Sequence, residues 1–254
     1  MARRISTSRE DVPYRPKKHI EEEAAVLLAE YGQKHTEVTE PPIPIDDIVE
    51  IHLGLTFEIK DMQELFGHGD VHGALWINDK RVGVDQSLDP DVYPAKLGRF
   101  RFTLGHEAGH WRLHREHFLK NTAQKNLFEE TETKPAYVCR SSESKKPIEW
   151  QADFFSACLL MPRPMAYAAW EKFRDGDDGP VAIADLRERY ADVENVEPFY
   201  HRGRIATDRK SKDVALQELF CRPLAEQFRV SAEAMRIRLE ELKLLVTEKP
   251  QTLF

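Results

Sequence analysis

The feature that most restricts how this chain can fold is a short string in its middle, in which His106 and Glu107 are followed by His110. In a helix, two histidines at positions i and i+4 project from one face, so both imidazoles can reach one metal ion. Glu107 lies beside that ion, where its carboxylate can accept a proton from a water molecule that attacks a carbonyl group. The string therefore predicts a helix that carries two zinc ligands and a catalytic base. The alternative is an amphipathic helix with two surface histidines.

A catalytic zinc ion also needs a third protein ligand and outer hydrogen-bond partners. An apolar helix is predicted from Ile148 to Leu160, and Glu149 and Asp153 lie four residues apart near its beginning. Burying an acidic group on a helix costs free energy unless a positive charge lies close to it, and a zinc ion bound by histidines supplies that charge. In the alternative, Glu149 lies in the solvated first turn of the helix, where the helix dipole stabilises acidic side chains. This alternative does not account for the position of Asp153 further along the helix.

The two motifs, in this order, resemble those of the glutamate-ligand zincins (gluzincins), and the fuller pattern resembles the ImmA/IrrE family of bacterial and phage metallopeptidases. The pattern consists of RFTLxHExGH at 101–110, ExxADxF at 149–155 and LLMP at 159–162, and the resemblance covers roughly residues 12–165. The resemblance implies that Glu149 is the third ligand of Zn2+ and that Asp153 orients a ligating histidine. It also implies limited proteolysis of a protein substrate, a helix-turn-helix transcriptional repressor, which releases phage, mobile-element or stress-response genes.

Other positions near these motifs are candidates for parts of the site. A metzincin would need a glycine at the position of Leu113 and a ligand at that of Glu116, so that pattern fails. His114 is a candidate for supporting a ligand, for facing the substrate, or for a structural role. Tyr137 is a candidate for stabilising the oxyanion. The predicted strand at 71–77 is a candidate for the exposed edge along which an extended substrate binds, with an internal strand as the alternative.

The expected fold is α+β: a zincin-like core of two active-site helices, a small twisted sheet and an N-terminal helix, followed by a mainly helical C-terminal extension. We expect a flexible tail at 1–12, the metallopeptidase domain at 13–175 and the helical region at 176–254. The polar stretch at 119–147 is either a functional loop or a tolerated surface insertion. Residues 224–239 resemble a helix-turn-helix, but Arg229 replaces the usual glycine and acidic residues on the second helix disfavour DNA contact.

Composition excludes several classes of protein. The net charge of -7 disfavours a non-specific nucleic-acid binder, and no run of about 18 apolar residues suggests a membrane span. The three cysteines (Cys139, Cys158 and Cys221) form no close pair, which fits a reducing compartment, so a cytoplasmic protein is expected. Three functions remain: an active zinc endopeptidase, a zinc-containing regulator that binds a protein partner or DNA without cutting, and a zinc toxin paired with an antitoxin. Glu107 favours the peptidase, because a binding module does not need a base.

Overall fold

The computed structural model of the chain describes residues 12–67, 69–123, 137–140, 146–191, 200–201 and 204–248. By internal packing the chain divides into two compact units. The first unit ends at Leu160, and the second comprises Thr39–Pro42 and the chain from Met161 onward. The predicted domain boundary at residue 175 stays a prediction, and the predicted tail lies, up to residue 11, outside the described residues.

The helices of the first unit lie close to where the apolar periodicity predicts them. In the N-terminal helix, Ile20, Ala24, Leu27 and Tyr31 form a buried stripe at helical spacing. The helix predicted to carry His106 and His110 leads into a wide helical turn at His110–His114. The helices are α1 (Lys17–Lys34), α2 (Ile45–Asp47), α3 (Met62–Phe66), α4 (Leu97–Gly109), α5 (Arg115–Ala123) and α6 (Pro147–Leu160).

A four-stranded sheet accompanies these helices, in the order β1-β3-β2-β4. The strands are β1 (Thr56–Lys60), β2 (Val71–Trp76), β3 (Arg81–Asp85) and β4 (Tyr137–Arg140). The strand predicted at 71–77 is present, and β2 pairs antiparallel with β3. Of its two alternatives, an exposed edge and an internal strand, the structure supports the internal strand, because β4, which arises within the polar stretch, pairs with the second side of β2. β2 is therefore an internal strand.

Helices α4 and α6 pack closely because small residues face each other. A Cβ atom on Gly109 would lie 3.2 Å from the Cα atom of Ala152, and one on Gly105 would meet the Ser156 side chain. The Ser156 hydroxyl also donates a hydrogen bond of 2.9 Å to the carbonyl of Phe102. This contact brings the histidines of the first motif and the acids of the second onto facing helical surfaces.

The second unit is mainly helical. Its helices are α7 (Arg163–Phe173), α8 (Ile183–Arg189), α9 (Arg209–Phe228) and α10 (Ala232–Glu241), and its short strands are β5 (Val181–Ala182), β6 (Tyr200–His201), β7 (Arg204–Ile205) and β8 (Leu245–Val246). The predicted helix pair near the C-terminus is present, and the Ser231 hydroxyl accepts a hydrogen bond of 3.1 Å from the Ala234 amide at the start of α10. Arg229 adopts a left-handed conformation with φ of 52° between the two helices. The expected α+β fold with a small sheet is confirmed.

Candidate metal centre

Three predicted ligands meet at one buried point of the first unit. His106 and His110 bring their Nε2 atoms within 2.9 Å of each other. Glu149 reaches them from α6, with 3.1 Å between Oε1 and the Nε2 of His110, and 3.5 Å between Oε2 and the Nε2 of His106. The exposed fractions of the three side chains are 3%, 0% and 2%. Buried Glu149 argues against the alternative of a solvated first turn.

These distances allow a test of whether the three residues fit a metal ion. Tetrahedral zinc has ligand bonds of about 2.0–2.2 Å, which separates ligand atoms by about 3.3 Å. The three separations range from 2.9 to 3.5 Å and so bracket that value. Two imidazoles and a carboxylate are also a donor set that zinc accepts. The arrangement therefore fits a zinc ion without rearrangement of the two helices.

Each histidine has a hydrogen-bond partner on the ring nitrogen that does not face Glu149. Asp153 places its Oδ1 atom 2.8 Å from Nδ1 of His106. Nδ1 of His110 lies 3.0 Å from Nδ1 of His114, whose Nε2 is 3.4 Å from the side-chain oxygen of Gln151. Such partners fix the orientation of a ligating imidazole. His114 is itself buried behind His110, and burial together with the neighbouring His110 lowers its pKa to about 2.

The electrostatics of the cluster favour a positive charge between its members. Burial alone would raise the pKa of Glu149, but hydrogen bonds from His106 and His110 outweigh it and hold the pKa well below its usual range. Burial alone would lower the pKa of His106, but the neighbouring Cys139, Asp153 and Glu149 raise it well above its usual value. The cluster therefore keeps Glu149 as an ionised carboxylate next to positive charge, which is the state that a metal ligand needs.

Glu107 belongs to the same buried region but takes no part in its hydrogen bonds. The residue is fully buried, and neither carboxylate oxygen has a hydrogen-bond partner among the residues that the structure describes. Burial raises the pKa of this carboxyl to about 8. The carboxylate lies against Gly73 of β2, where any Cβ atom would overlap its Oε1 atom. An unsatisfied buried carboxyl is costly, so its retention indicates a ligand that the carboxyl contacts.

The sequence did not identify Cys139 as a member of this region. Its sulfur and the ligand atoms of His106 and Glu149 all lie within 4.8 Å of one another. The thiol is in hydrogen-bond contact with His106, and burial raises its pKa to about 12. The signal that could have revealed it is the sequence Tyr137-Val138-Cys139, a strand-prone triplet within a polar stretch. The Tyr137 side chain is not among those described, so its oxyanion role stays a prediction.

Glu116, which occupies the last ligand position of the rival metzincin pattern, lies elsewhere. It is exposed on α5. The predicted ligands, base and supporting aspartate thus come together, while Glu116 does not join them. None of the described helices combines the length and the hydrophobicity that crossing a bilayer requires.

Comparison with known proteins found a family match that covers this region of the chain. The family model described as the IrrE N-terminal-like domain (Peptidase_M78) matches residues 59–191, a little over half of the chain. The match includes helices α4 and α6 and strand β4. A search of curated proteins found no significant match. The chain belongs to this metallopeptidase family, as the two motifs predicted, and a peptidase of this family acts on a protein substrate.

Proposed function

We propose that this family member is a zinc-dependent endopeptidase in which His106, His110 and Glu149 bind the metal and Glu107 is the catalytic base. The observation that carries the proposal is the unpartnered Glu107 carboxylate, buried beside three side chains whose atoms have the spacing of zinc ligands. A structural metal site does not need an additional buried carboxylate that binds neither the metal nor another residue. A hydrolytic site needs one, because the attacking water must lose a proton.

Each residue has a defined task in this proposal. Zinc, when bound, supplies a Lewis acid that polarises the carbonyl group and lowers the pKa of water towards about 7. Glu107 accepts the proton of the attacking water and then delivers it to the leaving amine. Asp153 keeps the Nε2 atom of His106 directed towards the metal, since it engages Nδ1. His114 and Gln151 do the same for His110.

The substrate that we propose is a helix-turn-helix transcriptional repressor, cut at a limited number of sites. Support for it comes from the resemblance of the two motifs to the ImmA/IrrE family and from membership of the peptidase family. Direct DNA binding by the chain is disfavoured by Glu233, Glu240 and Glu241, which lie on the second helix of the C-terminal pair and repel phosphate. The repressor, rather than DNA, is the partner that the proposal requires.

One observation favours a second candidate, a zinc-containing regulator that binds a partner without cutting it. Structural zinc sites have four protein ligands, whereas catalytic sites have three and keep one position open. The sulfur of Cys139 lies within 4.8 Å of ligand atoms of His106 and Glu149, in a group that does not include His110, so Cys139 is a candidate for a further ligand. The two candidates differ in what they require of Glu107, so a substitution there separates them.

The test is Glu107→Gln, with Glu116→Gln as the matched control. Glutamine preserves size and shape but cannot accept the proton, so folding and zinc content should survive while turnover falls at least ~100-fold, the lower end of general-base contributions. Glu116 is exposed and outside the cluster, so its substitution should leave turnover unchanged. The measurement is cleavage of a partner recovered from host cells with the Glu107→Gln protein, which should hold its substrate uncut.

A regulator that only binds would give a different result. Wild type and Glu107→Gln would then recover the same intact partner and produce the same cellular phenotype, and neither protein would cut that partner. This outcome would overturn the peptidase proposal and leave the regulator as the function.

A further inference from the structure

The position of Cys139 follows from how β4 pairs with β2. In this antiparallel pair Cys139 stands opposite Gly73. Directly opposite residues direct their side chains to the same face of a sheet. The face of Gly73 is the one that contacts Glu107, because a Cβ atom there would overlap the Glu107 carboxylate. The strand pairing therefore places the Cys139 thiol on the face of the sheet that contacts Glu107, next to the predicted metal ligands.

Two independent observations indicate that the thiol meets a metal. The sulfur lies within 4.8 Å of ligand atoms from His106 and Glu149, and the three side chains form the potential metal-ligating group found among the described residues. The buried Glu107 carboxyl beside them has no hydrogen-bond partner, so the region is built around something that the side chains alone do not supply. Cysteine sulfur is a preferred zinc ligand, with a bond of about 2.3 Å.

We infer that Cys139 is a fourth protein ligand of the metal and that β4 thereby keeps the peptidase closed. The inference rests on the proposed function, because only a catalytic site has an open coordination position to lose. Bond formation releases the thiol proton to solvent as sulfur takes the place of water on the metal. When β4 leaves, water returns to that position and the thiol takes up a proton. No oxidant or reductant is needed.

The strand that carries Cys139 also occupies the place of an extended substrate. Peptides often bind to enzymes and adaptors by adding a strand to an exposed sheet edge. The β2 edge over Glu107 would suit such a peptide, but residues 137–140 are already paired with it in antiparallel fashion. Removal of β4 would expose this edge and open the metal at the same time. The substrate class implied is therefore an unfolded or extended segment that pairs with β2 as β4 does.

Cobalt substitution tests the ligand directly. Wild-type protein loaded with Co2+ should show a near-ultraviolet absorption band from thiolate-to-cobalt charge transfer, and Cys139→Ala should lose it. Cys158→Ala is the matched control and should keep the band, because Cys158 is buried on α6 nine residues after Glu149, about 13 Å along the helix axis. A second measurement uses only wild-type protein: bound metal should slow alkylation of Cys139, measured by peptide mass mapping, and a chelator should restore it.

Cleavage rates test whether β4 and Cys139 keep the peptidase closed. If the closed form holds about nine-tenths of the molecules, Cys139→Ala should cut the recovered partner ~10-fold faster than wild type. The double variant Cys139→Ala, Glu107→Gln should not cut, which shows that the added activity uses the same base. Equal cutting rates for Cys139→Ala and wild type would overturn the closing role.

The outcomes separate this inference from the proposed function. Stoichiometric cobalt in wild type without a thiolate band, and with Cys139 alkylated equally fast in the presence and absence of metal, would overturn the fourth ligand and leave the peptidase proposal standing. Failure of wild type and of every variant to bind cobalt or zinc would overturn both.

Discussion

Two ionic clusters flank the segment from His106 to His114, and they differ in burial. The inner cluster joins this segment to α6 through Glu149, and the side chains of His106, His110 and Glu149 are at most 3% exposed. The outer cluster joins it to α1: Arg112 donates hydrogen bonds of 2.9 Å to Glu23 and 3.0 Å to Glu30. The side chains of the outer cluster are 24–37% exposed.

The difference in burial decides what each cluster can do. Water solvates the outer charges, so their pairing contributes at most about 1 kcal/mol. The inner groups have lost that solvation, which costs several kcal/mol per ion unless charge and hydrogen bonds replace it. Arg112, which is always charged, pairs with the outer acids, whereas imidazoles and a thiol surround the inner acids. The inner cluster is therefore the one in which a bound metal ion, as we propose, replaces the lost solvation.

The largest effect is expected from removal of the inner carboxylate. Glu149→Ala should weaken zinc binding by more than ~100-fold, because losses of outer-shell partners already cost ~10–100-fold and this residue is a proposed direct ligand. Glu116→Ala, the exposed control on α5, should bind zinc like wild type. Competition with a metal-sensitive dye measures both affinities. Weakened binding in Glu116→Ala, with normal binding in Glu149→Ala, would show that the ligand set is wrong.

A smaller effect is expected from the group that supports His106. Asp153→Ala should reduce zinc affinity or turnover by ~10–100-fold, because the imidazole loses the acceptor that fixes its orientation. Asp153→Asn should restore part of the loss, since the amide oxygen still accepts a hydrogen bond from Nδ1. The same dye titration and a cleavage assay give both values. If alanine and asparagine behave like wild type, Asp153 does not position the histidine.

The smallest effect is expected at the outer cluster. Arg112→Ala should lower the free energy of unfolding by at most ~1 kcal/mol and leave zinc affinity unchanged. A hydrogen bond from Arg112 lowers the pKa of Glu30 below 4.5, so this stabilisation is present above that pH and is lost as the pH falls through the lowered pKa. Urea unfolding of both proteins at neutral and acidic pH measures the difference. A difference that grows in acid would contradict this sign.

Local spacing explains which parts of the site were predictable. The four-residue separations of His106 from His110 and of Glu149 from Asp153 place each pair on one helical face. Helix positions are set by local periodicity, so α4 and α6 were found from the sequence. The expected burial of the acidic pair predicted a compensating charge from the other helix, and the structure buries Glu149 but leaves Asp153 43% exposed.

Strand pairing explains what was missed. The internal position of β2 depends on four residues, Tyr137–Arg140, that lie more than 60 positions away in sequence. Their alternation is too short to predict a strand, and nothing local specifies that Cys139 stands opposite Gly73. The requirement for glycine at position 73 likewise follows from the approach of the Glu107 carboxylate across the fold. Because the register of β4 on β2 is a long-range feature, the sequence alone did not reveal Cys139 as a candidate ligand or the pairing of β4 with β2.

The central claim, that the inner cluster is a metal site, is tested most directly by metal analysis combined with thermal unfolding. Purified protein should contain one zinc ion per chain, and a strong chelator should lower its melting temperature, because the ion binds the native state and holds α4 and α6 together. Glu149→Ala should contain no zinc and should melt at the same temperature with and without the chelator. A wild-type protein that contains no zinc, and whose melting temperature the chelator does not change, would contradict the account.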